Sequence, residues 1–418
     1  MSAQTAAQPG GPLLAGPPVA AGSERYEAHL ARLGRAPTGA AARSIIPAVE
    51  ESGLLGRGGG GFPVGRKWRS VAERARGRAV VLVNGAEGEP LSAKDRTLLA
   101  LRPHLVLDGA LLAATAVGAD EIVLYVGEQH HVARSEIARA LTIHPARRSV
   151  RVRLVASPTG YVSGEESAAV HFVNEGFALP TTVPPRPFEL GIHGRPTLVQ
   201  NVESLAYAAL IGRFGPDWYR SAGRGPTPGT SLVTTSGGVR NPVVTEVELG
   251  TSIGEVIQTT GGTTGDVSAV LVGGYFGGWI AVPDAWRLPL DPAALRAAGH
   301  TFGCGVVSVL PARQCGVVAT ATVITYLASQ SARQCGPCVM GLDAIAQVVG
   351  RIAACRPSHD DLDRVERWSG QLVGRGACHH PDGAAAFLQS ALRVFATEFD
   401  FHQVSHHCLA ARADAHVA

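Results

Sequence analysis

An α/β layered domain, a small α+β module and a C-terminal helical bundle are predicted, in that order, for this 418-residue chain. Three observations predict them. Short β-branched apolar runs alternate with helical stretches up to about residue 222, as in strands and helices stacked in layers. A Gly/Pro-rich stretch, residues 223–229, then breaks the pattern, and shorter strand-like runs follow. From Ala312 onward the apolar periodicity is helical.

The elements follow from local signals. Residues 1–24 are rich in Ala, Gly and Pro and hold no Lys or Arg; they read as a disordered tail, without the basic start of a secretory signal. Residues 41–52 read as a helix, followed by a glycine run at 56–61. Strands are expected at 79–83, 121–126 and 151–156, with helices at 103–117, where Pro103 takes the favoured first position, and at 131–140. Beyond the 223–229 linker, strands are expected at 230–236, 243–247 and 269–272, and a helix at 253–259. Helices at 312–329, 338–354, 360–373 and 383–397 make the bundle. The expected organisation is a tail (1–24), an α/β domain (25–222), an α+β module (230–310), a bundle (312–400) and a second tail (401–418).

Composition narrows the function. Apolar residues reach 45% and charged ones 17%, so large cores can be buried. A net charge of +3 over this length argues against nucleic acid or a membrane surface as partner. No apolar run reaches the roughly 18–20 residues that span a bilayer. Seven cysteines, an odd count with one Cys-x-x-Cys pair, point to metal or redox chemistry in a reducing cytoplasm rather than a disulfide framework.

Three segments carry ligand chemistry. Gly56-x-Gly58-x-x-Gly61 matches the dinucleotide fingerprint, but a helix precedes it where that fold needs a strand, so a Rossmann fold is rejected. The glycines still let backbone N–H groups approach a phosphate or a flat ring, with Arg57, Arg66 and Lys67 as positive charge. Asn84-Gly-Ala-Glu87-Gly-Glu89 follows a strand directly and suits ribose or ribityl hydroxyls; a solvated acidic turn is the alternative. Tyr161-x-x-Gly164-Glu165-Glu166 follows another strand and opens a helix, where helix capping alone would also account for the two glutamates.

Taken in order, these segments resemble the NADH-binding flavoprotein subunit of respiratory complex I and the related diaphorase subunits of soluble hydrogenases and formate dehydrogenases. The match runs through Gly56-Arg57-Gly58-Gly59-Gly60-Gly61-Phe62-Pro63-x-Gly65-x-Lys67-Trp68, then Asn84-x-x-Glu87-Gly88-Glu89-Pro90 with Lys94-Asp95-Arg96. It continues through Tyr161-x-x-Gly164-Glu165-Glu166 and Gly194-Arg195-Pro196-Thr197-x-Val199-Gln200-Asn201-Val202-Glu203-Ser204-Leu205, and covers about residues 35 to 400. The resemblance implies an FMN-binding α/β domain, a ubiquitin-like (β-grasp) ligand-binding module and an iron–sulfur bundle. It implies that Gly56, Arg57, Gly58, Gly59, Lys67, Asn84, Glu87, Tyr161, Gly164, Glu165, Glu166, Val199, Gln200, Asn201 and Ser204 surround FMN. It further implies that Phe62, Glu89 and Glu166 face a nicotinamide nucleotide, the two glutamates as catalytic carboxylates. NADH as donor, an iron–sulfur protein or subunit as acceptor, and a peripheral place in a larger complex complete the expectation; the alternatives are an FMN subunit that uses a ferredoxin-like partner instead of NADH, and a non-catalytic scaffold subunit that has lost its redox centres.

The sequence also departs from the family. Ala86 stands where the family has Asp. The Pro-Arg-Leu-Lys-Pro-Pro-Phe-Pro run reads Pro180-Thr181-Thr182-Val183-Pro184-Pro185-Arg186-Pro187, so a lysine and a phenylalanine that hold NADH become Val183 and Arg186. Ser70 replaces an aromatic residue. In the iron–sulfur motif Ala332 takes the first ligand position, leaving Cys335, Cys338 and the distant Cys378 for a cluster that takes four thiolates. Cys304, Cys315, His379 or a small molecule are candidates for the fourth ligand; remnant cysteines, zinc or a redox pair are the other readings. Cys355 and Cys408 read as ordinary cysteines, and His402, His406 and His407 as a solvated tail.

Overall fold

The apolar run beginning at Ala79 becomes the strand Ala79–Gly85, in which residues 79–83 are fully buried. In the computed structural model, which describes residues 6–8 and 11–408, this strand sits inside a four-stranded sheet. The spatial order is Arg151–Ser157, Ala119–Gly127, Ala79–Gly85 and Thr197–Asn201, all parallel. A parallel sheet is covered on both faces, so its strands read as continuous apolar runs rather than alternating ones. Val81 and Val83 join one apolar cluster, with residues of the helices Pro103–Val117 and Val202–Phe214. Val80 and Leu82 join another, with Ala169 and Val170 of the helix Glu166–Glu175. A Cβ on Gly109 would lie 2.0 Å from the Leu205 carbonyl oxygen, so only glycine lets those first two helices pack this closely.

The chain divides into two compact units. The first is residues 1–234 with 243–251 and 289–294; the second is residues 235–242, 252–288 and 295–418. The module expected at 230–310 is therefore shared between them. The helix expected at 41–52 is two, Gly39–Arg43 and Ile46–Glu51, with Pro47 starting the second. The strand Thr197–Asn201 lies inside a segment read only as a motif.

The disordered tail expected at 1–24 is corrected for its described part. Leu13 and Leu14 are buried. Their N–H groups donate to Glu246 Oε2 at 2.8 and 3.2 Å, and Arg102 donates to the carbonyls of Leu14, Ala15 and Pro17. Residues 6–8 pair in parallel with Val243–Thr245. Glu24 is buried against Arg32 and His29. Residues 1–5 and 9–10 lie outside the described part of the chain.

In the second unit, Val267–Val272 pairs antiparallel with both Gly278–Ala281 and Val306–Pro311. The helix Ile253–Thr259 opens on a capping box made by Ser252 and Glu255. Helices follow at Gly316–Ser329, Asp343–Ala353, Asp361–Leu372 and His380–Val394. A fifth, Ala396–Ser405, occupies the start of the expected tail at 401–418, and its His402 is fully buried. Residues 409–418 lie outside the described part. Among the described residues no single helix is long and apolar enough to cross a membrane.

Candidate functional site

Strand order places the site. Ala79–Gly85 has the two other βα units on one side and Thr197–Asn201 on the other, so chain direction across the sheet reverses between these two strands. Ligands of open parallel sheets lie beyond the carboxyl ends of the strands at such a reversal. Those ends are Asn84 and Asn201, register partners across the ladder.

The glycine loop closes over this point. Gly56 N–H donates to the Phe62 carbonyl at 2.9 Å, pinching the loop at its base. Gly59 and Gly61 have φ of +109° and +61°, which side chains disfavour. A Cβ on Gly59, Gly60 or Gly61 would meet nothing within 4 Å, so the loop faces open space, whereas one on Gly58 would lie 3.5 Å from Asn201 Cβ. The Ser204 hydroxyl accepts from Arg57 N at 2.9 Å and ties the loop to the helix Val202–Phe214. Phe62 is 53% exposed at the loop's end, with the Arg66 guanidinium 5.9 Å from its ring centroid.

Arg57 does not supply charge to a ligand, and that expectation is corrected. Its guanidinium is buried, donates to the Tyr219 hydroxyl at 3.0 Å and the Thr230 carbonyl at 2.9 Å, and lies 3.8 Å from Glu203. Glu203, fully buried, also accepts from Ser231 Oγ and Leu232 N and pairs with Lys94 at 2.9 Å. Lys94 pairs in turn with Asp95, whose second oxygen accepts from Asn201 Nδ2 at 2.7 Å. Burial alone would lower the Lys94 ammonium, but Asp95 and Glu203 hold it above the ordinary lysine range. Burial pushes the Asp95 carboxyl up, opposed by Lys94 and reinforced by Glu87 and Glu203. Two cations and two carboxylates thus brace the loop from beneath. Spacing could not reveal this network, because Arg57, Lys94 and Glu203 are far apart in the chain.

The two acidic loops meet through glycine. A Cβ on Gly88 would lie 2.7 Å from the Gly160 carbonyl oxygen and 2.8 Å from that of Tyr161. Asn84 Nδ2 donates to the Gly164 carbonyl at 2.8 Å, and Tyr161 Oη donates to Glu89 at 3.1 Å. The four glutamates separate by role. Glu87 accepts from Ser92 Oγ and from the N–H groups of Asp95 and Arg96, so it caps the helix Lys94–Leu101. Glu165 likewise caps Glu166–Glu175, accepting from Ser167 N and Ala168 N, each at 2.9 Å. Glu166 instead accepts from Lys67 Nζ at 2.7 Å, and Arg186 approaches its other oxygen at 3.7 Å. Glu89 accepts from Tyr161 Oη and Glu166 from Lys67 Nζ, whereas Glu87 and Glu165 also accept from backbone N–H groups of first helical turns.

Val199 and Gln200 are both 4% exposed on the last strand. Gln200 Oε1 is a buried acceptor with no hydrogen-bond partner. A buried acceptor left alone costs about 1–3 kcal/mol, so it marks a place for a donor the protein does not provide. The glycine loop approaches the end of the same strand, where a Cβ on Gly58 would lie 3.5 Å from Asn201 Cβ.

The second unit holds the cysteine motif. Cys338 lies in a single π-helical turn, Pro337–Leu342, and its N–H donates to the Cys335 carbonyl. Burial, then the neighbouring thiols of Cys335 and Cys378, push the Cys338 thiol up to about 12. Burial also acts on Cys335, but backbone donors from Ala377 and Cys338 outweigh it and leave that thiol below its ordinary value. Cys338 is thus within electrostatic reach of both Cys335 and Cys378. None of the candidates for a fourth ligand is set beside them as an evident replacement for Ala332. Cys315 contacts His402, Cys304 is directed at the Gly273 carbonyl, and His379 is largely exposed and paired with Asp382. The chain supplies three thiolates where a 4Fe-4S cluster takes four.

A parallel α/β sheet with a glycine cradle at its reversal point, and a helical bundle bearing a cysteine set, define a flavin- and iron–sulfur-type electron-transfer protein. Comparison with known proteins carries this further. Residues 49–209 match the Nuo51 FMN-binding domain, and residues 318–402 match the NADH-ubiquinone oxidoreductase-F iron–sulfur binding region. An NADH-quinone oxidoreductase F subunit of Rhizobium meliloti is 31% identical over 378 residues, 87% of this chain and 90% of that one. The corresponding F subunit of Mycobacterium bovis is 30% identical over 86% and 84%. The crystal structure of an air-oxidised NAD+-reducing [NiFe]-hydrogenase superposes with a TM-score of 0.83 at 30% identity, covering 97% of this chain and 68% of that one. The chain belongs to the family of NADH-quinone oxidoreductase F subunits.

Proposed function

We propose that this chain oxidises NADH on FMN and passes the electrons to an iron–sulfur partner within a larger assembly. The observation that carries the reading is the cradle at the sheet reversal: an open glycine loop against the end of the last strand at Asn201, the paired strand ends Asn84 and Asn201, and acidic loops fastened beside them. Bound FMN supplies the chemistry of accepting a hydride and releasing single electrons. The chain's own residues do the rest. Gly56, Gly58 and Gly59 admit the ring, and Asn84, Gln200 and Asn201 present polar groups at its edge. Lys67 and Glu166, joined at 2.7 Å, set the charge at the rim, and Phe62 offers an exposed apolar face to a second ring. Tyr161 holds Glu89 toward the mouth. In the second unit Cys335, Cys338 and Cys378 would hold a 4Fe-4S cluster with a fourth ligand from outside this trio. The strands and helix between residues 230 and 310 suit a β-grasp module, and the order of three domains and a cytoplasmic location belong to the same proposal.

NADH-dependent reduction of an artificial one-electron acceptor tests it. The full chain with FMN should catalyse it, and removal of the flavin should abolish it; no turnover with flavin bound would reject the proposal. Arg186 favours one second reading, in which a ferredoxin-like protein replaces NADH. Its guanidinium stands 3.7 Å from Glu166, where the family carries an aromatic residue. Arg186→Phe should then lower the KM for NADH by roughly tenfold, since an aromatic contact contributes about 0.5–1.5 kcal/mol beyond its buried area. An unchanged KM would remove Arg186 as the reason for a protein donor.

A further inference from the structure

The bundle contains a second group of metal-ligating side chains, separate from Cys335, Cys338 and Cys378. Cys315 immediately precedes the helix Gly316–Ser329, His402 lies in the last turn of Ala396–Ser405, and Cys408 follows that helix. One donor atom from each lies within 4.8 Å of the other two. Cys315 Sγ is 3.4 Å from His402 Nε2. Bonds of about 2.3 Å to sulfur and 2.0 Å to nitrogen in a tetrahedral site put neighbouring donors about 3.5 Å apart.

The histidine is oriented for ligation. His402 Nδ1 lies 2.9 Å from the Ile352 carbonyl oxygen, which can only accept, so Nδ1 carries the proton. Nε2 is then the lone-pair nitrogen, and it is the atom turned to Cys315 and Cys408. A carbonyl fixing the far nitrogen is the usual support of a metal-bound imidazole. His402 and Cys315 are buried and Cys408 half-buried, so the donors are withdrawn from bulk water. Cys355, just past the helix Asp343–Ala353, lies 3.5 Å from Nδ1 of the same imidazole, on the side away from Cys315, and stands outside the group. No role in flavin or cluster chemistry falls to any of these four side chains.

We propose that Cys315, His402 and Cys408 hold a zinc ion through two thiolates and one imidazole, with the fourth position filled from outside this group. Thiolates with one imidazole, and no carboxylate among the ligands, select zinc over harder cations. Two thiols and an imidazole alone are weak mutual partners; a divalent cation takes the thiols as thiolates and binds all donors at once. The site fastens the end of the C-terminal helix to the start of Gly316–Ser329.

The test uses the full chain, expressed with zinc supplied and purified anaerobically. Elemental analysis should find one zinc per chain, and zinc-edge X-ray absorption should show sulfur at about 2.3 Å together with one imidazole. Zinc should persist when Cys335, Cys338 and Cys378 are all changed to Ser. It should fall by roughly tenfold or more in the Cys315→Ser, Cys408→Ser double variant, with bound FMN as the check that the chain has folded. Alkylation of the unmodified protein should leave Cys315 and Cys408 protected until a chelator is added. Zinc absent, zinc lost with the first trio, an all-sulfur shell, or a Cys315–Cys408 disulfide in fresh protein would each overturn the assignment. The absorption and alkylation measurements need no variant and decide the matter even if the double variant fails to fold.

Discussion

The flavin cradle and the cysteine bundle solve the same problem, holding a redox group, by opposite means. The cradle is held mainly by backbone geometry and by a buried charge network that reaches the ligand site through Asn201. Arg57, Lys94, Asp95 and Glu203 brace the glycine loop from below, while Glu87 and Glu165 secure the helices beside it. The bundle depends on a few sulfur atoms, each of which matters individually, and Ala332 already removes one. A site built on backbone tolerates the loss of a contact such as the family's Asp at Ala86. A site built on ligands does not tolerate the loss of one so readily.

The comparison can be broken at its strongest point. Glu203→Ala leaves the Lys94 and Arg57 charges buried without their shared partner, a loss that typically costs about 3–5 kcal/mol. The midpoint of chemical denaturation should fall accordingly, and FMN should be lost with it. Unchanged stability would mean that the network does not carry the loop.

Ala332→Cys sharpens the other side. A fourth thiolate should raise iron retained after anaerobic purification to four per chain and strengthen cluster retention by roughly tenfold or more. Iron content equal to that of the unmodified chain would mean that another group already completes the site.

Gln200→Leu separates binding from folding. It removes a buried unpartnered acceptor, so apoprotein stability should hold or rise by up to about 1–3 kcal/mol. FMN affinity should drop by roughly tenfold, the value of one hydrogen bond of about 1.4 kcal/mol. Equal flavin affinity in both proteins would show that Gln200 does not face the ring.

The smallest effect concerns the cluster of Glu24, His29, Asp108 and His144. Burial pulls His29 down, but hydrogen bonds to Asp108 and Glu24 leave it above 6.5. Its contribution is complete below pH 6.5 and is lost as pH rises through the folded value. Burial pushes Glu24 up, but Arg32 and His29 bring it to about 2, so its contribution is present above pH 4.5 and fades as pH falls toward 2. Asp108, also held below its ordinary range, behaves in the same sense. Stability should peak between about pH 4.5 and 6.5, and His29→Gln should flatten the alkaline side by on the order of 1 kcal/mol or less. An unaltered pH profile of unfolding in the variant would rule the cluster out.

What could be read from the sequence divides along the same line. The parallel strands were legible because burial on both faces leaves a continuous apolar run, as at 79–83. The four motifs were legible because their order and spacing are specific. The roles of individual side chains were much less so. Glu87 and Glu165 look like ligand groups in one dimension and are helix caps in three. Arg57 sits in a phosphate-like loop and turns inward, because its partners Tyr219, Thr230 and Glu203 lie far along the chain. Leu13 and Leu14 make too short an apolar run to signal burial, yet Glu246 and Arg102 hold their backbone. Cys315 and His402, 87 residues apart, form no local motif at all.

The most direct measurement is the visible absorption spectrum of the anaerobic protein before and after NADH is added. Flavin bands that bleach on addition, without any protein partner, are the predicted result. Flavin bands that remain unchanged with excess NADH, or no flavin bands even after FMN is supplied, would contradict it.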